Sequence, residues 1–123
     1  MKKRIVVAGC RDYDNYYEAE EYIDSCISDM KSVCEFLFIS GGCRGADALG
    51  ERYAREHGYE IERYPAEWEK YGRAAGPMRN RKMAEIADFI ICFWDGKSRG
   101  TKAIIDFATA LNRPVRIKRI PLS

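Results

Sequence analysis

Ile39-Ser40-Gly41-Gly42-Cys43-Arg44-Gly45-Ala46-Asp47 joins two kinds of sequence. Before it, Phe36-Leu37-Phe38-Ile39 is an unbroken apolar run and reads as a buried strand. After it, a helical pattern opens near Gly45, with Ala46, Leu49, Tyr53 and Ala54 on one face and Gly58 placed to end it. A strand feeding a glycine-rich turn into a helix N-terminus is a place for an anion. Backbone amides approach closely where side chains are missing, and the helix dipole favours negative charge. Arg44 adds a guanidinium fork inside the same turn. A tight strand-to-helix turn that holds no ligand uses the same residues, and this stretch alone does not choose between the two.

The chain on either side repeats the strand-then-helix theme. Residues 4–8 are a short β-branched strand ending in Gly9-Cys10-Arg11-Asp12. Ala19, Tyr22, Ile23, Cys26, Ile27 and Met30 then recur at helical spacing, with Asp14 or Asn15 as the cap. Residues 60–64 alternate charged and apolar and suggest a strand at a sheet edge. The loop 65–76 carries Trp68, Tyr71 and Gly72, and Pro77 suits the first turn of a third helix reaching about residue 87. Residues 89–93 are wholly apolar, as in the interior of a parallel sheet covered on both faces. A fourth helix spans 101–111, with Ala103, Ile104, Phe107, Ala108 and Leu111 inward, and 115–118 form the last strand. Five strands alternating with four helices imply an α/β fold, a parallel sheet with right-handed crossovers and helices on both faces. The fold class implies strand order 3-2-1-4-5, with a ligand site beyond the carboxyl ends of the strands, between strands one and four.

Composition narrows the function. The 123 residues, 46% apolar and 33% charged, suit a single globular domain over 1–123. No apolar run nears the roughly 20 residues of a membrane span. Basic residues before a short apolar run echo a signal peptide, but Arg11 and Asp12 stop the run, so it reads as a first strand and the expected location is the cytoplasm. A net charge of +2 does not mark a nucleic-acid binder. Five cysteines without C-x-x-C spacing and a single histidine argue against zinc and against a disulfide framework, so no metal is expected.

Three strand ends carry the chemistry. They are Gly9 to Arg11, the glycine turn, and Asp95-Gly96-Lys97-Ser98-Arg99-Gly100-Thr101. Gly9, Gly41, Gly42, Gly45, Gly96 and Gly100 let backbone approach a phosphate, and Arg11, Arg44, Ser98 and Thr101 can bind it. Asp47 and Asp95 can accept ribose hydroxyls. Equally, Asp47 suits a first helical turn, Asp95-Gly96 a tight turn, and Thr101 an N-cap. Arg79 and Asn80 open the third helix near the same edge. Trp68 and Tyr71 can stack a base or simply pin their loop.

These residues carry a resemblance. Ser40-Gly41-Gly42-Cys43-Arg44-Gly45-Ala46-Asp47-Ala48 resembles the S-G-x-x-R-G-x-D-x turn of the DNA-processing protein A family, and Arg79-Asn80-Arg81 its R-N-R. Met78 to Lys82, Asp88-Phe89-Ile90 and Gly100-Thr101 are similar to elements of the LOG-like cytokinin-activating hydrolases. Both belong to the SLOG superfamily, and the whole chain most resembles its small YspA-like branch. The resemblance implies a Rossmann-like three-layer sandwich that handles a nucleotide-derived ligand. Two departures stand out. The LOG-like hydrolases carry a catalytic glutamate where this chain has Ile104, and the second glycine of their G-G is Ser98 or Arg99 here. The first expectation is therefore a binding or sensing module for a ligand of the ADP-ribose or nucleoside-phosphate type. A hydrolase acting on such a ligand comes second, with Asp47, Asp95 and Asp106 as candidate acids or bases. Single-stranded DNA binding comes third, and a homodimer is the default assembly for such a domain.

Overall fold

Every second residue of the inner strands is buried on one face of a single sheet, and its neighbours are buried on the other. The computed structural model describes residues 2–121. In chain order its elements are β1 (Lys2–Gly9), α1 (Tyr16–Ile27), β2 (Glu35–Ser40), α2 (Ala46–His57), β3 (Glu60–Arg63), α3 (Trp68–Tyr71), α4 (Ala75–Ile86), β4 (Phe89–Trp94), α5 (Arg99–Ala110) and β5 (Val115–Arg119). The strands form one parallel sheet in the order β3-β2-β1-β4-β5, as expected. β1 is the central strand, pairing Val6 with Ile39 on one side and Ile90 on the other.

The two faces have separate cores. Ile5, Val7, Phe38, Ile91 and Phe93 pack with Ala19, Ile23 and Tyr53 from α1 and α2. Val6, Ala8, Ile39, Ile90 and Cys92 pack with Met83, Ala84, Ile104 and Ala108 from α4 and α5. This burial of both strand faces explains why the apolar runs are continuous rather than alternating. Asn15 caps α1 by accepting from the Glu18 amide, and Gly58, at φ 75°, closes α2. Among the described residues no helix is long and apolar enough to cross a membrane.

The helix boundaries differ from the sequence reading in three places. α1 stops at Ile27, and a 3₁₀ turn, Ser28–Met30, completes the stretch. The loop at 65–76 is not structureless: α3 lies within it, and a second 3₁₀ turn (Gly72–Ala74) leads into α4, which starts ahead of Pro77. α5 starts at Arg99, so Thr101 is not the cap but a buried first-turn residue, with Ser98 in the capping position. The cause is Asp95, whose Oδ1 accepts the amides of Lys97 and Ser98, both at 2.8 Å, and folds the loop early. Leu111, expected inward, is 38% exposed because the helix ends at Ala110.

Ile104 is 1% exposed and faces the sheet. Ile104→Ala should lower stability by about 2–5 kcal/mol in urea denaturation. Ile104→Glu, which restores a carboxylate at the hydrolase position, should be more disruptive because the charge would enter the core.

Candidate functional site

The backbone of a single residue holds the strand ends together. The Cys10 amide donates to the Phe93 carbonyl at 3.0 Å, and the Cys10 carbonyl accepts from the Ala46 amide at 3.1 Å. β1, β4 and the start of α2 therefore meet at Cys10, where the strand order reverses. The turn before α2 passes so close that a Cβ on Gly45 would overlap the Cys10 carbonyl, and Gly45 also sits at φ 77°. The Cys10 thiol is buried, and burial pushes its pKa up, which makes it a packing residue and a poor nucleophile.

The glycine turn is braced from beneath. The Gly42 amide donates to Ser40 Oγ at 3.0 Å, and the Cys43 amide donates to Asp47 Oδ2 at 3.3 Å. From α4, Arg79 Nη1 donates to the Gly41 carbonyl at 2.6 Å. A Cβ on Gly41 would stand 2.7 Å from Arg79 Nη1 and 2.8 Å from Asp47 Oδ2, so a side chain there would push both groups off the turn. A Cβ on Gly42 would meet nothing within 4 Å, and its backbone sits at φ 77°. Asp47 is 6% exposed, and burial lifts its carboxyl to about 6, against the opposing pull of the Cys43 amide and the Arg79 charge. The carboxyl at the base of the turn thus keeps its proton to a higher pH than an exposed aspartate does.

Asn80, beside Arg79, accepts from Arg79 Nε at 2.9 Å and reaches the Gly100 carbonyl at 3.4 Å. The Arg-Asn pair therefore links the glycine turn to the first turn of α5. In the loop before α5 the amides of Ser98 and Lys97 hold the Asp95 carboxylate below its usual range. Two open clefts flank this line. Arg11 shares the first, about 850 Å³, with Asp95, Lys97, Ser98 and Gly100. It shares the second, about 700 Å³, with Gly41, Gly42, Arg44, Trp68 and Arg79.

The predicted residues divide accordingly. Arg11, Arg44 and Arg79, from three segments, meet at the second cleft, although Arg44 also pairs with Asp12 at 3.0 Å. Gly9 and Thr101 lie behind the clefts: a Cβ on Gly9 would strike the Phe93 carbonyl, and Thr101 is 4% exposed, with its hydroxyl 3.3 Å from Ser98 Oγ. Gly96 turns beneath the Arg119 guanidinium. Trp68 lines the second cleft and lies across Gly76, whereas Tyr71 lines a separate pocket. Asp106 is remote from both clefts. It pairs with Lys102 at 2.9 Å on the exposed side of α5.

Sequence reasoning missed Glu51 and Arg63, which also line the second cleft. Arg63 grips Glu51 with two hydrogen bonds, at 2.6 and 3.0 Å, and holds its carboxylate below the usual range. The signal was available, since Glu51 lies four residues after Asp47 and hence on the same face of α2.

Fold and site together define a doubly wound parallel α/β domain of Rossmann type with an arginine-lined glycine turn beside its switch point. The chain belongs to the YspA, cpYpsA-related SLOG family (YAcAr), whose model matches residues 3–71. It is similar to Gene 61 protein of Mycobacterium phage D29, with 36% identity over 120 residues, 92% of this chain and 94% of that protein. Among solved structures it is similar to TM1055, a structural-genomics target, with a TM-score of 0.65 and 22% identity over 94% of this chain and 72% of that one. It is also similar to DNA processing protein A (DprA) from Streptococcus pneumoniae, with a TM-score of 0.69 and 18% identity over 95% of this chain. The chain spans 50% of that protein's length. At these identities the structural likenesses speak for the fold alone.

The raised Asp47 pKa fixes the sign of a pH effect. The folded state holds this proton more tightly than the unfolded chain, so the contribution is full below about 3.8 and is lost as pH rises through about 6. Relative to Asp47→Asn, the wild type should lose up to about 3 kcal/mol of stability between pH 4 and pH 7.5. Urea denaturation of both proteins across that range measures it.

Proposed function

We propose that the protein binds a small nucleotide-derived ligand, of the ADP-ribose or nucleoside-phosphate type, in the cleft beyond β1 and β2. One observation carries this reading. Arg11, Arg44, Arg63 and Arg79 line the cleft, and its one lining carboxylate, Glu51, is already paired. Such a surface favours an anion, and guanidinium groups suit phosphate oxygens. The amides of Gly42 and Cys43 are engaged by Ser40 and Asp47, so the arginines take the larger share of phosphate binding here. Asp47 beneath the turn favours such a ligand most when it is protonated.

A hydrolase reading has one specific observation in its favour. Asp47 titrates near 6 while Glu51, one helical turn on, is held ionised. Carboxyl groups with diverging pKa values are the material of acid–base catalysis. Release of free base from AMP, abolished by Asp47→Asn, would support it. Binding without turnover ranks first because Ile104 fills the hydrolase glutamate's position with core packing and Asp106 faces away. Single-stranded DNA binding rests on the fold likeness alone.

ADP-ribose at one hundred times its dissociation constant should add about 2.7 kcal/mol of stability, a rise of about 8–15 °C in Tm. Arg44→Ala should weaken binding about tenfold to a hundredfold with little change in the unliganded Tm, because Arg44 is exposed. Arg79→Ala should weaken binding and also lower the unliganded Tm, since it removes the brace on Gly41. Because a bound pyrophosphate would raise the Asp47 pKa further, ADP-ribose affinity should increase as pH falls from 7.5 to 5.5, and Asp47→Asn should flatten that trend. Absence of any Tm shift with ADP-ribose and nucleoside monophosphates at millimolar concentration would refute the proposal.

A further inference from the structure

We infer that the pocket between α4 and the loop after β3 is a nucleobase subsite of the same cleft. The inference rests on the nucleotide-binding reading and adds where the base goes. Tyr64, Pro65, Tyr71, Ala75 and Met78 form the pocket walls, and Glu67, Arg79 and Lys82 supply its polar groups. Ala75, Met78, Arg79 and Lys82 follow the i, i+3, i+4, i+7 spacing, so one face of α4 lines it.

The pocket adjoins the arginine-lined cleft. Pro65 and Arg79 border both spaces. Arg79 is the junction, because its guanidinium is already fixed on the Gly41 carbonyl. A phosphate held at the glycine turn would place its attached sugar beside Arg79, and the next group along would enter the pocket.

Size and chemistry favour a flat heterocycle there. The pocket volume is about 290 Å³, at the lower limit of sites that take a whole small-molecule ligand and suited to a fragment of one. Its walls are aromatic and aliphatic, whereas the cleft beside it is lined by arginines. Met78 is 45% exposed and Tyr71 is 38% exposed, an apolar surface that an aromatic ring would cover. Glu67 and Lys82 give one acceptor and one donor for the edge of a base. Of the two aromatics singled out in the sequence, this assigns base stacking to Tyr71 and leaves Trp68 to the wall of the phosphate cleft.

Calorimetric titration with AMP, GMP, CMP, UMP and ribose 5-phosphate separates the two levels of the argument. At least one nucleotide should bind tenfold or more tightly than ribose 5-phosphate, which has the sugar and phosphate without the base. Tyr71→Ala and Met78→Ser, both at exposed positions, should each weaken that nucleotide about tenfold, leave ribose 5-phosphate binding unchanged, and keep the unliganded Tm. Equal affinity for nucleotides and ribose 5-phosphate, or undiminished nucleotide affinity in both variants, would overturn the base subsite while leaving the phosphate site in place. So would a change in sedimentation coefficient in both variants with unchanged nucleotide affinity, which would make the patch a self-association surface. Failure of every nucleotide and of ribose 5-phosphate to bind at millimolar concentration would overturn the subsite together with the reading it rests on.

Discussion

The hydrogen bond from Arg79 to the Gly41 carbonyl is the contact on which the candidate site depends. Arg79 belongs to α4, which packs on one face of the sheet, and the glycine turn leads into α2 on the other. The guanidinium therefore reaches over the carboxyl edge of the sheet and joins its two layers of helices. Gly41 is the complementary constraint, because any side chain there would collide with Arg79 and with the Asp47 carboxylate. Asn80 extends the link to Gly100, so two adjacent residues tie together three segments far apart in sequence.

This brace sets the electrostatics. Asp47 lies beneath the turn, screened from water, with an amide and a guanidinium only partly offsetting the cost of its charge. Arginines line the cleft above it. On the proposed reading, a negative ligand would sit at the mouth of this cleft, above a carboxyl that would respond to it through its own proton. The Glu51–Arg63 pair, one turn further along α2, borders the cleft without adding a free negative charge.

The family match covers residues 3–71, and so two of the three strand ends: the exit of β1 and the glycine turn. The third, 95–101, lies beyond the matched stretch, and there the chain departs from the LOG-like pattern. Asp95 folds the loop onto itself and α5 starts two residues early; Thr101 is buried in its first turn and Ile104 lies in the core. Glu51 of α2 borders the cleft beyond β1 and β2, whereas Asp95 borders the one between β1 and β4.

Strand and helix alternation and the parallel sheet, which brings three strand ends to one edge, were legible from the sequence, because burial on both faces of a sheet leaves continuous apolar runs and helices leave a three-to-four spacing. The glycine turn was legible for a similar reason: a short chain segment that passes close to its neighbours must be free of side chains. The state of Asp47, the Glu51–Arg63 pair, the Arg79 brace and the separation of Trp68 from Tyr71 were decided only by the tertiary structure. Each depends on groups distant in sequence, such as Gly41 and Arg79, 38 residues apart. Desolvation and hydrogen bonding between such groups have no local periodicity for a sequence to record. Asp106 makes the same point in reverse, since its place near a motif suggested chemistry that the rotation of α5 turns toward solvent and Lys102.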